Sequence, residues 1–244
     1  MIRKSKKEIQ KYYQINNVAS TYDNRRFVGL GGEYINSTEI TTTLNATKKH
    51  LSVNSPKVLD LGAGRGRLSI PLKKAGYNVY CLDSSESMLS YLTKEFPRDH
   101  VFIQSVFDKF PSAIKYDGIT SLRFFDHFDE TDQIKILTNG VKSLKNGGKF
   151  FLSGLSSQSL EYLVSFLFPY GRYNYYLPMT SYSKIFKKAG LKIRAYESAF
   201  FIPRGVFLHT NNLPGLQKFL IKIDTFITRV FPVLGAMKIF VLEK

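Results

Sequence analysis

Residues 58–89, VLDLGAGRGRLSIPLKKAGYNVYCLDSSESML, constrain the fold more than any other part of the chain. A short apolar run, Lys57–Leu61, contains Asp60 and leads into three alternate glycines, Gly62, Gly64 and Gly66. A helical run stopped by Gly76 follows, and a second apolar run, Val79–Leu82, leads into Asp83. Strand, glycine turn, helix and strand form the repeating unit of a parallel sheet, whose strands need a crossover connection. Glycine lacks Cβ, so the turn can bend sharply and a ligand can approach its backbone. The amide dipoles of the following helix N-terminus face the same place. A carboxylate at the end of the second strand can accept hydrogen bonds from a ribose diol. The dinucleotide pattern G-x-G-x-x-G fails here, because its third glycine would fall at Arg67.

The alternation continues along the chain. Ser84–Phe96 reads as a helix, Val101–Ile103 and Asp117–Leu122 as strands, and Glu130–Leu144 as a helix with Ile134, Leu137, Val141 and Leu144 on one face. Asn146-Gly147-Gly148 reads as the stop of that helix before a strand at Lys149–Leu152. Two helices, Lys4–Val18 and Glu33–Leu51, are expected upstream. Downstream come a helix at Leu160–Phe168, the aromatic stretch Pro169–Pro178, a helix at Ser181–Ala189, a strand at Leu191–Tyr196, an amphipathic helix at Leu216–Val230 and a last strand at Met237–Leu242. This order predicts an α/β fold with a mostly parallel sheet.

The spacing D-x-G-x-G-x-G from Asp60 to Gly66 resembles motif I of class I S-adenosylmethionine-dependent methyltransferases. The resemblance runs from about Tyr22 to Gly154. It includes Asp83 with the following S-x-x-M-L, Tyr116-Asp117 before strand four, and Leu144-Lys145-Asn146-Gly147-Gly148 before strand five. It implies a Rossmann-like seven-stranded mixed sheet, last strand antiparallel, flanked by helices and carrying a helical and aromatic cap. A single domain over residues 1–244 is expected: N-terminal helices over the cofactor at 1–51, a cofactor-binding core at 52–154, and cap insertions at 155–190 and 199–235.

The resemblance also assigns roles. Asp60 would order the loop and the amino group of S-adenosyl-L-methionine, with Gly62, Ala63 and Gly64 along the methionine portion. Asp83 would hold the ribose hydroxyls, and Ser84 and Met88 would flank the adenine. Ser105, Val106 and Phe107 would cover its other face, with Leu122 beneath the cofactor. Many relatives carry an acidic residue where Ser105 stands, so the serine oxygen or Asp108 is left to accept from the adenine amino group. Arg65 is read either as a contact to the cofactor carboxylate or an anionic substrate, or as an exposed arginine. Upstream, Tyr22-Asp23-Asn24-Arg25-Arg26-Phe27 resembles the segment that small-molecule methyltransferases fold over the cofactor, with Tyr22 and either Arg25 or Arg26 at its methionine end; the alternative is an ordinary basic helix end. The expected product is S-adenosyl-L-homocysteine.

Methyl transfer from a sulfonium is an in-line displacement, so the protein must align the acceptor and, for a hydroxyl, take a proton. His127, just past strand four in SLRFFDHF, is the candidate base; the alternative is a structural turn position. Arg123, Tyr173 and Tyr176 are candidate substrate residues. No histidine–carboxylate spacing suggests a metal site. The pattern is most similar to methyltransferases of quinones, lipids and other small molecules, so the expected reaction is O- or C-methylation of a small acceptor, lipidic or amphipathic molecules included.

Charge decides among the alternatives. The net charge is +16, from 35 Lys and Arg against 19 Asp and Glu. Residues 1–26 carry 7 basic and 2 acidic groups, residues 27–154 carry 16 and 13, and residues 155–244 carry 12 and 4. Such a field favours acidic partners. RNA methylation is therefore the rival enzyme reading, although no separate RNA-binding module is evident and no specific nucleic acid is expected. A catalytically silent S-adenosylmethionine-binding protein is the rival from another class. The stripe Leu216, Phe219, Leu220, Ile223, Phe226, Ile227 and Val230, with Lys218, Lys222 and Arg229 between, either packs on its own domain or lies on an anionic membrane surface. Cys81 is the sole cysteine, so no intramolecular disulfide forms. No apolar stretch is long enough to span a bilayer and the N-terminus lacks a signal-peptide core, so a cytoplasmic protein, with or without peripheral membrane contact, is expected.

Overall fold

The computed structural model describes residues 27–108, 110–111, 114–167 and 174–244, the side chains of 166 and 167 excepted. The expected helix at Lys4–Val18 and the expected site residues Tyr22, Arg25, Arg26 and Tyr173 lie outside these residues. In chain order the main elements are α1 (Gly29–His50), β1 (Lys57–Leu61), α2 (Ser69–Lys74), β2 (Asn78–Asp83), α3 (Glu86–Leu89), β3 (Val101–Ile103), β4 (Tyr116–Ser121), α4 (Glu130–Ser143) and β5 (Leu144–Ser156). They continue as α5 (Leu160–Leu167), β6 (Tyr176–Leu177), α6 (Met179–Lys188), β7 (Lys192–Ala199), α7 (Arg204–His209), α8 (Pro214–Val230) and β8 (Met237–Glu243).

One sheet runs in the order β3-β2-β1-β4-β5-β8-β7, with β6 paired to the end of β5. β1 pairs in parallel with β2 and β4, and β4 with β5; β8 runs antiparallel between β5 and β7. Four of the five residues of β1, all but one of β4 and all but the last of β8 are buried, as expected for strands covered on both faces. Val58, Cys81, Phe151, Ile239 and Val241 point to one apolar layer, and Leu59, Leu82, Ile119, Phe150 and Phe240 to the other. Side chains alternate across the sheet, so neighbouring residues of one strand feed opposite cores.

Three expectations need correction. The sheet has eight strands rather than seven, because two residues of the aromatic stretch, Tyr176 and Leu177, pair with Leu155 and Ser156. The helix expected over Ser84–Phe96 is helical only at Glu86–Leu89: Ser85 caps its start, accepting from the Met88 N–H at 3.3 Å, and turns carry the chain from there to Phe96. Asn146-Gly147-Gly148 does not end α4. The helix stops at Ser143, Leu144 is already extended, and the glycines lie within β5 where its register against β4 shifts. For α8 the sequence left two placements open. Its inward face buries Gln217, Asp224 and Thr228 and packs Leu220 and Ile221 on the core, while Leu216, Phe219, Phe226 and Val230 are exposed.

The polar face of α8 is buried because it answers groups already inside. Gln217 donates to the Phe207 carbonyl at 2.6 Å, and Asp224 accepts from the Tyr34 hydroxyl and the Ile202 N–H, both at 2.6 Å. An unmatched carbonyl or amide at those places would cost more than an apolar contact returns. Both segments reached by the chain after β5 and β7 emerge at one end of the sheet, since Leu155, Met237 and Ala199 are level with one another. That is also the end where β1 gives way to the glycine turn.

Candidate functional site

The glycine turn sits at the carboxyl ends of β1 and β2, where open α/β sheets bind ligands. The N–H groups of Gly62 and Ala63 both donate to the Leu82 carbonyl, at 2.9 and 3.2 Å, folding the loop over the end of β2. Gly62 and Gly64 have φ of +71° and +53°, a region that L side chains rarely adopt. A Cβ on Gly62 would run into the Phe124 ring, whereas, among the described residues, one on Gly64 would meet only the Gly62 carbonyl, at 3.9 Å. The space in front of Gly64 is therefore open to an incoming group.

Two aspartates organise the loop. Asp60 is buried under it and accepts from the Ser69 hydroxyl at 2.6 Å and the Thr120 hydroxyl at 2.9 Å, joining β1 to α2 and β4. Burial pushes its carboxyl up to about 6 against the opposing pull of those two hydroxyls. Asp83, at the end of β2, accepts the Gly64 N–H on one oxygen at 3.0 Å and the Ser85 N–H on the other at 2.9 Å. Burial raises its pKa, and the amides of Ser85, Gly64 and Ser84 oppose that rise. An ionised carboxylate has about four acceptor positions, so the two amides within hydrogen-bond distance, Gly64 and Ser85, leave it able to receive a diol.

The expected adenine residues gather beside Asp83. Ser84 is half-buried, Met88 is buried, and the Gln104 N–H donates to the Asp83 carbonyl at 2.9 Å, bringing the turn after β3 alongside. There Val106 is buried, and the Ser105 hydroxyl accepts the Phe107 N–H at 3.2 Å, while Asp108 is exposed. Phe107 packs edge-on against Phe128 at 5.5 Å, and Phe128 against Phe124 at 4.9 Å. Leu122 is buried in the core layer that also holds Ala63 and Leu92. Arg65 is half-buried, not exposed; its guanidinium lies over the Tyr91 ring at 4.0 Å.

Past β4 the backbone turns through Arg123, a non-glycine residue at φ +58°, whose N–H donates to the Ser153 hydroxyl at 2.6 Å. Its guanidinium is buried and lies 3.3 Å from Asp126 and 3.6 Å from Glu39. Arg67 and Arg204 also reach Glu39, at 2.7 and 3.2 Å, so three cations converge on one carboxylate of α1. Arg204 forms a forked pair with Glu161, which also accepts from the Tyr176 hydroxyl at 2.9 Å. Burial alone would raise the Glu161 pKa, but the Arg204 charge and hydrogen bonds hold it down at about 2. The candidate substrate residues Arg123 and Tyr176 thus belong to one buried ionic cluster. His127 is half-buried in a tight turn, its N–H donating to the Phe124 carbonyl at 3.2 Å. The Asp126 carboxylate is directed at Arg123.

Glu39, Glu161, Phe124 and Tyr91 are site residues that sequence reasoning missed. Only Glu39 left a trace: with Ile35, Thr43 and Thr47 it lies on one helical stripe, but a stripe mostly of polar residues reads as solvated. Among the described residues, no group of three or more His, Cys, Asp and Glu is placed to hold a metal.

A family model described as a methyltransferase domain matches residues 35–196. A ubiquinone biosynthesis O-methyltransferase from Hydrogenovibrio crunogenus is 26% identical over 179 residues, 68% of this chain and 70% of that protein. Proteins of the same description from Rickettsia conorii and Rickettsia canadensis are 25% and 23% identical, and the chain spans only 40% and 52% of their length. The fold is similar to magnesium protoporphyrin IX methyltransferase from Synechocystis PCC 6803, solved with bound SAH, at a TM-score of 0.65 and 17% identity, over 98% of this chain and all of that one. A possible histamine N-methyltransferase from Thermotoga maritima has a TM-score of 0.63 and 15% identity, over 96% of this chain and 99% of that one.

Proposed function

The chain belongs to the methyltransferase-domain family, and from that membership we propose that it transfers a methyl group from S-adenosyl-L-methionine to oxygen or carbon of a small acceptor. The observation that carries this reading is the pairing of Asp83 with the Gly64 N–H beside an open backbone face. The residues fit the cofactor: Asp83 has acceptor capacity to spare, Gly64 presents no side chain, and the aromatic groups of Phe107 and Phe128 stand beside the turn after β3. When bound, the cofactor supplies an electrophilic methyl on a sulfonium and leaves as S-adenosyl-L-homocysteine.

In this reading Asp83 receives the ribose hydroxyls while keeping its two backbone donors. Asp60 acts from below: it ties Ser69 and Thr120 together and so holds the loop in the shape that presents Gly62, Ala63 and Gly64. Ser84, Met88, Ser105, Val106 and Phe107 enclose the base, with Leu122 beneath. His127 takes the proton of a hydroxyl acceptor at the carboxyl end of β4. Arg123 and Tyr176 position the acceptor through the ionic cluster that joins α1, α5 and α7 to the core. Within residues 155–190 and 199–235, the described helices α5, α7 and α8 form the cap that excludes water and selects the acceptor, while β6 and α6 belong to the sheet and its core. The O-methyltransferase descriptions of the similar proteins support a small-molecule acceptor.

The test is calorimetric titration of S-adenosylhomocysteine into the wild type and Asp83→Ala. Hydrogen bonds to a charged group contribute roughly 1.5–3 kcal/mol each, so affinity should fall at least about tenfold while the circular dichroism spectrum is retained. Equal affinity in a folded variant rejects the assignment. Transfer of labelled methyl into lipid, small-molecule and RNA fractions then identifies the acceptor class.

A further inference from the structure

We propose that the outward face of α8 docks on an anionic lipid surface. The helix turns three polar residues, Gln217, Asp224 and Thr228, toward the protein, with Leu220 and Ile221 packed beside them on the core, and leaves Leu216, Phe219, Phe226 and Val230 exposed. Phe219 is 58% exposed and Phe226 66%, with Leu216 and Val230 on the same face at successive turns. The apolar surface continues past the helix through exposed Phe231 and Val233. Exposed apolar residues scattered singly need no explanation, but a continuous strip marks a contact surface.

Charge selects the occupant. Lys218, Lys222 and Arg229 are exposed and, spaced four and seven residues apart, form one line along an edge of the apolar strip. Between Glu197 and Glu243 the only acidic residue is Asp224, and it is buried against Tyr34 and Ile202. The exposed surface of the helix therefore presents apolar and cationic groups and the Thr225 hydroxyl, and no anionic group. An interfacial helix sinks such an apolar face into the boundary between headgroups and acyl chains, and its lysines and arginines meet the anionic headgroups. A second copy of the chain fits less well, since an antiparallel isologous pairing would set one basic line beside the other. α8 lies in the segment that leaves β7 and enters β8 at the end of the sheet that carries the glycine turn. If the methyl-transfer reading also holds, a membrane-dissolved acceptor would reach the site from the surface on which the protein rests.

The test uses the full chain and measures no chemistry, so it stands or falls apart from the methyl-transfer reading. The protein is sedimented with vesicles of phosphatidylcholine alone and with vesicles containing phosphatidylglycerol. The wild type should sediment with the second and stay largely in solution with the first. Phe219→Asp with Phe226→Asp should weaken that binding by about tenfold or more, and Lys218→Glu with Lys222→Glu should weaken it and remove its salt sensitivity. Retained affinity for S-adenosylhomocysteine, or an unchanged circular dichroism spectrum, reports the fold of each variant. The proposal is overturned if the wild type stays in solution at every phosphatidylglycerol content, or if both variant pairs bind as the wild type does. It is also overturned if centrifugation finds a wild-type dimer that the phenylalanine variant abolishes, which would assign the face to a second copy.

Discussion

Asp60 is a carboxylate held where water cannot reach it, and its chemistry follows from that. Burial brings it to about 6 in the folded chain, against an ordinary value of 3.8, so the folded state binds its proton more readily than the unfolded state. Its contribution therefore favours folding below the lower value, declines as pH rises through the window, and is a full penalty above about 6, at about 1.4 kcal/mol per pH unit crossed. The stability gap between Asp60→Asn and the wild type should widen in favour of the variant from pH 4 to pH 6 in urea unfolding; parallel profiles would mean that the site is wet. Glu161 has the reverse sign. Arg204 keeps it ionised to about 2, so its stabilisation is complete above its ordinary value of 4.5 and is lost as pH falls towards 2. Removing a single member of such a buried pair strands the other charge, and Glu161→Gln should destabilise the protein by about 3–5 kcal/mol. A loss below about 1 kcal/mol would show that water or Glu39 takes over the guanidinium.

At the scale of elements, α8 inverts the usual rule about which substitutions matter. Its glutamine closes a hydrogen bond to the Phe207 carbonyl, and its outward phenylalanine touches mostly solvent. Gln217→Leu should therefore cost about 1–3 kcal/mol by leaving a buried acceptor unmatched, while Phe219→Ser should change stability by less than about 0.5 kcal/mol. Thermal unfolding of the two variants measures the contrast, and the opposite ranking would mean that the phenylalanine is covered in solution. An ordinary cap operates at α4, where the Asp129 carboxylate accepts the Asp132 N–H at 3.0 Å. Asp129→Ala should cost about 1 kcal/mol in urea unfolding. No change at all would mean that solvent caps the helix equally well.

For the whole molecule, the question is what a net charge of +16 does. Phosphate contacts release counterions, so any RNA bound by this field should dissociate steeply as salt rises from about 50 to about 200 mM. Filter binding should detect weak association, indifferent to sequence, and no labelled methyl should enter purified RNA. Salt-sensitive incorporation into RNA would promote nucleic acid to substrate. The basic residues of α8 lie on one edge of an apolar strip, which suits a surface of headgroups better than a single phosphate backbone.

The alternation of strand and helix, and the turn that groups Asp60, Gly62, Gly64 and Asp83, were legible in the sequence because they depend on residues close along the chain, whereas the sheet order joins strands as distant as β5 and β8. Asp60, Gly62, Gly64 and Asp83 lie within one strand–turn–helix–strand unit, and their spacing is the geometry. The shape of the α3 region was not legible. Apolar spacing from Ser84 to Phe96 suits a helix, but after Leu89 the chain needs only turns to bring Leu92 and Phe96 into the core. Only the tertiary structure decided the ionic cluster, since Glu39, Arg123, Glu161 and Arg204 come from four separate segments and a buried charge is tolerable only where its partner has been delivered. The same holds for α8. Its periodicity determined that one face is apolar, but which face turns inward was set by backbone groups of α7 and by Tyr34, far away in sequence, that required polar partners.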